Sequence, residues 1–224
     1  MTLKNKPKAI LFDMDGTLCN SIIGLHNILN QLLNENGKPP LDINHLRGEI
    51  DKGSIKMIAL AFDIDEDSPQ VETLRQQLLQ RYTERMAEVT EFFPGADKVI
   101  KYLRDSAISW GIVTNRPALL MDPLYNELDF IKQADCLVCG DTLPTCKPEP
   151  EMLYHACDIL NISPQDAVYV GDTENDIIAA NRADMPCVFA EYGYLRTESD
   201  INTLKFNSKI TNLEELITLL NHFN

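Results

Sequence analysis

Apolar residues fall along this chain in two rhythms. At 8–14 (KAILFDM), 108–114 (ISWGIVT), 136–139 (CLVC), 167–171 (AVYVG) and 186–190 (PCVFA) they form short, nearly unbroken runs. Unbroken rather than alternating hydrophobicity belongs to strands covered on both faces. Between or after these runs the apolar spacing changes to three and four, predicting helices over 95–106, 117–128, 149–160, 173–183 and 211–222. Pro148 and Pro150 mark the approach to a helix start, and Pro94-Gly95 marks a turn. Strand alternating with helix predicts an α/β fold built on a doubly wound parallel sheet. Ligands of such sheets sit outside the carboxyl ends of the strands.

Residues 20–90 break the alternation. Ile22, Leu25, Ile28, Leu29, Leu32 and Leu33 make one helical stripe closed by Gly37. Ser68 and Pro69 then supply a cap and a first-turn residue for a second stripe of Val71, Leu74, Leu78 and Tyr82. Two shorter helical pieces are expected between them. A stretch this long is no loop. It is expected to be a small all-helical domain (20–90) inserted into a core made of 1–19 and 91–224. In the last helix, Leu213, Leu216, Ile217 and Leu220 are expected to pack onto the sheet.

Composition narrows the partners. The 224 residues suffice for one large core, or a core with a small insert. A net charge of −14 argues against a nucleic-acid backbone, which clustered Lys and Arg bind through counterion release. No run approaches the ~20 apolar residues of a membrane span. The apolar run after Lys8 is short for a secretory signal and is interrupted by Asp13, so a cytoplasmic protein is expected. The six cysteines suggest no disulfide framework. The Cys-x-x-Cys in CLVCGDTLPTC lacks the second pair that zinc requires, and is read as buried thiols. The histidines His26, His45, His155 and His222 join no constellation.

The chemistry gathers at strand ends. The first run ends in Asp13-Met14-Asp15-Gly16-Thr17, the second in Thr114-Asn115, and the fourth in GDTENDI with Asp172 and Asp176; Lys147 stands in TCKPEP before the fourth. In a parallel sheet these ends share one edge, so four carboxylates are expected to meet there. Two unit charges ~4 Å apart repel by about 4 kcal/mol at an effective dielectric of 20. Such a cluster asks for a cation, and oxygen ligands without His or Cys suit a hard ion, Mg²⁺ above all. One carboxylate can then attack phosphorus, and one two residues later can act as acid and then base. Gly16 permits the turn. Thr114 Oγ and the Asn115 backbone N–H are candidates to hold phosphoryl oxygens.

With these motifs in order, the chain resembles the haloacid dehalogenase superfamily of phosphatases over nearly its whole length. DMDGT is similar to the family's first motif, Thr114 in IVTNR to the second, Lys147 in CKPEP to the third and GDTEND to the fourth. The resemblance implies Asp13 as nucleophile and Mg²⁺ ligand, and Asp15 as acid/base and backbone-carbonyl ligand. It implies Thr114 and Lys147 for phosphate, Asp172 for Mg²⁺, and Asp176 as a ligand or a support behind one. Dehalogenases of the family lack the acid at position 15. The insert resembles the family's helical cap, whose bearers mostly act on small phosphomonoesters. VTNRPALL, CKPEPEMLYHACDIL and EYGY resemble the phosphoglycolate phosphatase group; GSIKMIALAFDID and SWGIVTNRP are similar to its N-acetylmuramic acid 6-phosphate branch. Asn20 departs from the acid common after DGTL.

Arg47, Lys52 and Lys56 read first as solvated charges. Arg47 and Lys52, in LRGEIDKGS, are nevertheless the candidates for gripping a substrate carboxylate. The expectation is thus a Mg²⁺-dependent phosphatase of a small, phosphoglycolate-like phosphomonoester, working through an aspartyl-phosphate, with N-acetylmuramic acid 6-phosphate as the alternative substrate. A sugar phosphomutase and, in another class, a phospho-accepting signalling module are the alternatives; Asp15, which would hasten loss of the phosphoryl group, argues against the latter.

Overall fold

The computed structural model describes residues 6–47, 53–194 and 204–222. The chain divides into two compact units, one of residues 1–20 with 92–224 and one of residues 21–91. No helix among the described residues is long and apolar enough to cross a membrane.

Among the described residues, the regular elements of the smaller unit are helices. Helix α1 (Ser21–Glu35) buries Ile22, Leu25, Ile28, Leu29, Leu32 and Leu33, the stripe read from the sequence. It ends where Gly37 takes a φ of 66° and the Lys38 N–H returns to the Leu33 carbonyl. Asn30 fixes the following loop: its Oδ1 accepts from Leu41 N at 2.8 Å and its Nδ2 donates to Leu41 O at 3.2 Å. Two short helices follow, α2 (Ile43–Arg47) and α3 (Ser54–Phe62). Helix α4 (Pro69–Glu84) opens on Ser68, whose hydroxyl accepts from Gln70 N, and buries Val71, Leu74, Leu78 and Tyr82. A last turn, α5 (Met86–Val89), runs so near α1 that a Cβ on Gly24 would stand 2.7 Å from Val89.

The larger unit carries a six-stranded sheet. Its strands are β1 (Ala9–Phe12), β2 (Ser109–Val113), β3 (Cys136–Val138), β4 (Ala167–Gly171), β5 (Cys187–Ala190) and β6 (Ser208–Ile210). They lie in the order β3-β2-β1-β4-β5-β6, and every pairing is parallel. Helices α6 (Ala96–Asp105), α7 (Ala118–Glu127), α8 (Glu151–Leu160), α9 (Glu174–Arg182) and α10 (Glu215–Asn221) accompany them. β1 is wholly apolar and buried, as a central strand covered on both faces must be. The structure adds β6, which the apolar pattern misses. Of its three residues only Ile210 is buried, as befits an edge strand.

Sheet order and register place the chemistry. β1 pairs with β2 on one side and β4 on the other, Phe12 standing level with Ile112 and Val170. The chain's winding reverses between β1 and β4, which is where doubly wound sheets open a crevice at their carboxyl ends. Receiver-type modules follow a different order, 2-1-3-4-5, so the topology sets the signalling alternative aside. Beyond β1, residues 18–19 run beside residues 92–93. Cys19 bridges Phe92 in antiparallel fashion, and Phe93 N donates to Leu18 O at 2.9 Å.

Candidate active site

Three carboxylates converge at the crevice. Asp13 directly follows β1, and its N–H still bonds the Val170 carbonyl at 2.9 Å. Asp172 directly follows β4, and Asp176 lies in the first turn of α9. All three are buried, and one carboxylate oxygen from each lies within 4.8 Å of the others. Two glycines allow this approach. A Cβ on Gly171 would come 2.4 Å from the Asp176 Cβ. Gly16, at φ +81°, would drive a Cβ to 2.1 Å from Asp172 Oδ2. Each acid is aimed by its own donors. Asp176 Oδ2 accepts from Thr173 N at 2.9 Å and Thr173 Oγ1 at 2.7 Å, closing a capping box on α9. Asp172 accepts from Thr17 Oγ1 at 2.8 Å and Tyr194 N at 2.7 Å.

Lys147 is the cation inside the cluster. Its Nζ stands 2.8 Å from Asp13 Oδ1, 2.7 Å from Asp176 Oδ1, 3.1 Å from Val113 O and 2.8 Å from the Tyr169 hydroxyl. An ammonium has three protons. Two serve the carboxylates, and the third goes to Val113 or Tyr169. The sequence reading gave Lys147 to a phosphate; in this structure its donors are taken by the protein, the Asp13 carboxylate among them.

One ammonium cannot balance three buried carboxylates. Burial pushes Asp13 up to about 7 against the pull of Lys147. Asp172 is driven well above the carboxylate range by burial, then by the charges of Asp176 and Asp13. Asp176 alone is held below it: burial opposes its charge, but Lys147 and the Thr173 donors prevail. The uncompensated charge, presented by oxygen donors alone, fits a hard divalent ion. Among the described residues no other group of His, Cys, Asp or Glu meets the same geometric condition. Cys136 and Cys139 are buried thiols as expected, whereas Cys146, beyond β3, is exposed.

The fourth acid behaves differently from the sequence expectation. Asp15 adds to the repulsion on Asp13, yet its carboxylate is held by Arg116 rather than by the cluster. Arg116 Nε donates to Asp15 Oδ2 at 3.0 Å, and Nη2 donates to Oδ1. The Arg116 backbone N–H donates to Thr114 Oγ1 at 3.1 Å, and residue 116 is buried. Arg116 went unnoticed in IVTNR. The available signal was a basic residue just past a central strand in an acid-rich chain.

Thr114 is buried beside it at the end of β2. Asn115, expected to offer a backbone N–H, uses its side chain on the protein: Nδ2 donates to Lys147 O at 2.8 Å and Oδ1 accepts from Lys147 N at 2.9 Å. That reciprocal pair fixes the loop from which Lys147 projects. Arg47 is the last residue of α2, and Lys52 lies outside the described residues.

The family model described as haloacid dehalogenase-like hydrolase matches residues 10–190. An N-acetylmuramic acid 6-phosphate phosphatase of Pseudomonas aeruginosa is 34% identical over 193 residues, covering 86% of this chain and 85% of its own. A phosphoglycolate phosphatase of Xanthomonas campestris is 37% identical over 194 residues, 87% of each chain. A haloacid dehalogenase-like family hydrolase of Streptococcus pneumoniae superposes with a TM-score of 0.77 over 95% of this chain and 98% of that one. At 21% identity it shares the fold.

Proposed function

The chain belongs to the haloacid dehalogenase-like hydrolases, and from that premise we propose a Mg²⁺-dependent phosphatase of a small phosphorylated metabolite, working through an aspartyl-phosphate on Asp13. The observation that carries this reading is the Lys147-centred cluster of Asp13, Asp172 and Asp176 at the carboxyl ends of β1 and β4. Asp13 is the nucleophile, its carboxylate oriented by the ammonium of Lys147. Asp13, Asp172 and the Asp15 carbonyl would hold the ion, with Asp176 as a further ligand or as the anchor of Lys147. Bound there, a divalent ion supplies positive charge to the phosphoryl oxygens. Thr114 Oγ1 and the Asn115 backbone N–H receive the remaining phosphoryl oxygens. Asp15 gives a proton to the leaving oxygen and then takes one from the attacking water.

Two substrates have direct support in the names of relatives: phosphoglycolate and N-acetylmuramic acid 6-phosphate. Both carry a carboxylate besides the phosphate. We read the helical unit as a cap whose 46–54 segment selects for it, through Arg47 or Lys52. Purified protein supplied with Mg²⁺ and both compounds, among a panel of phosphomonoesters, tests the reading. Phosphate release from a carboxylate-bearing member at the highest kcat/KM is expected. Release from none of the panel overturns it.

A further inference from the structure

Asp15 stands outside the acid cluster and is tied instead to a side chain 101 positions away. We infer that Arg116 is the positioning residue of the proposed acid/base: its two-pronged grip sets where the Asp15 carboxylate stands. This inference rests on the phosphatase reading and deepens it.

Three observations carry it. The pairing is bidentate, Nε to one oxygen and Nη2 to the other, so it fixes the plane of the carboxylate as well as its distance. Arg116 is itself immobilised: its side chain is 6% exposed, against 28% for Asp15, and its backbone is bound to Thr114 Oγ1. Asp15, by contrast, precedes a glycine turn and lies partly open to solvent. Without Arg116 the carboxylate would lose the two-pronged hold that fixes its plane. Acid–base catalysis needs the group within hydrogen-bond reach of the leaving oxygen. A displacement of ~1 Å can cost about 10²-fold in rate.

An Asp13 oxygen forms a bond to phosphorus while the ester P–O bond breaks. The departing oxygen keeps the electron pair and takes the proton of the Asp15 carboxyl. Asp15 is left as the carboxylate that the fork of Arg116 fits. In the second step water yields a proton to Asp15, its oxygen bonds phosphorus, and the Asp13 carboxylate is released.

The test is leaving-group dependence. Wild type, Arg116→Ala and Arg116→Lys are compared by kcat/KM on phosphoglycolate, whose alkoxide must be protonated, and on p-nitrophenyl phosphate, whose phenolate leaves unaided. This parameter covers steps only up to leaving-group departure, so breakdown of the aspartyl-phosphate does not enter. Arg116→Ala should lose ~10²-fold or more on the alkyl ester and less than ~10-fold on the aryl ester. Asp15→Asn should show the same asymmetry. Arg116→Lys, which keeps the charge but not the fork, should fall between, and added guanidinium ion should restore Arg116→Ala on the alkyl ester. Should Arg116→Ala fail to fold, Arg116→Lys carries the same comparison. Equal losses on both esters overturn the inference alone. A wild type inactive on both, and on the wider panel, overturns the phosphatase reading with it.

Discussion

Both units pair charges at their surfaces, Lys98–Glu214 and Lys101–Asp105 being examples in the sheet unit, but the sheet unit also holds ion pairs in its interior. In the helical unit the pairs Arg75–Glu72, Arg81–Glu35 and Arg85–Glu88 each leave their carboxylate more than half exposed. Such pairs are screened by water and salt, and either member is replaceable at little cost. In the sheet unit Lys147 is 2% exposed, and its partners Asp13 and Asp176 are 10% and 0%. There the removal of Lys147 would leave the carboxylates buried and uncompensated, whereas the loss of one carboxylate relieves their repulsion. Charge on the helical unit meets water, whereas burial pushes the carboxyls of Asp13 and Asp172 toward neutrality at the strand ends.

The contrast is broken or sharpened by a graded set of substitutions. Asp13→Asn should abolish phosphate release while the thermal midpoint holds or rises, because the amide retains the size and discards a buried charge. Turnover near the wild-type rate in a folded variant would remove Asp13 from its role. Asp15→Asn should cost ~10² to 10⁴ in kcat, acid–base help being lost in both steps; a change confined to KM would count against it.

Ion removal comes next, read by stability as well as activity. Burial raises Asp13 to about 7, and burial also raises Asp172, from an unfolded value near 3.8. Groups raised on folding favour the folded state at low pH and lose that contribution as pH climbs through the folded value. The midpoint of EDTA-treated protein should therefore fall from pH 5 to 8, and saturating Mg²⁺ should flatten the decline and restore turnover. A midpoint indifferent to Mg²⁺ in wild type would contradict the ion site, as would full activity in EDTA.

Smaller effects belong to the helical unit. Arg47→Ala and Lys52→Ala should lower kcat/KM for a carboxylate-bearing phosphomonoester and spare p-nitrophenyl phosphate. Losses equal on both substrates would send the search for specificity elsewhere in residues 20–90. Arg81→Ala should leave turnover unchanged and shift the midpoint least of all; a large loss of activity would mean that the Arg81–Glu35 pair is more than a surface contact.

Much of this was legible in the chain because burial leaves a pattern. Five strands and their order of appearance follow from runs that are apolar throughout, and the stripe of α1 follows from spacing alone. The acid cluster was legible because strand ends of a parallel sheet share an edge. Three things were not. β6 has a single buried residue, so it leaves no run to read. Arg116 follows two other polar residues, and which of them turns toward Asp15 is decided by packing around a residue 101 positions earlier. Lys147 reads from the sequence as a positive charge near the acids, with a phosphate-binding role implied by the resemblance; its individual partners, Asp13, Asp176 and the Tyr169 hydroxyl, are visible only in the fold.

The short seam where Leu18 and Cys19 lie beside Phe92 and Phe93 has a modular meaning. The chain departs for its helical excursion and returns at nearly one point, so the excursion is a closed loop in the topological sense. Closing a loop costs free energy only as the logarithm of its length, about 0.6 kcal/mol per doubling. Residues 21–91 are thus a cassette: splicing a few flexible residues across the seam should leave the sheet, its glycines and its acids in register. Grafting another family member's excursion at the same junction would test whether that unit carries the substrate preference, with the acids of the sheet unit left as they are.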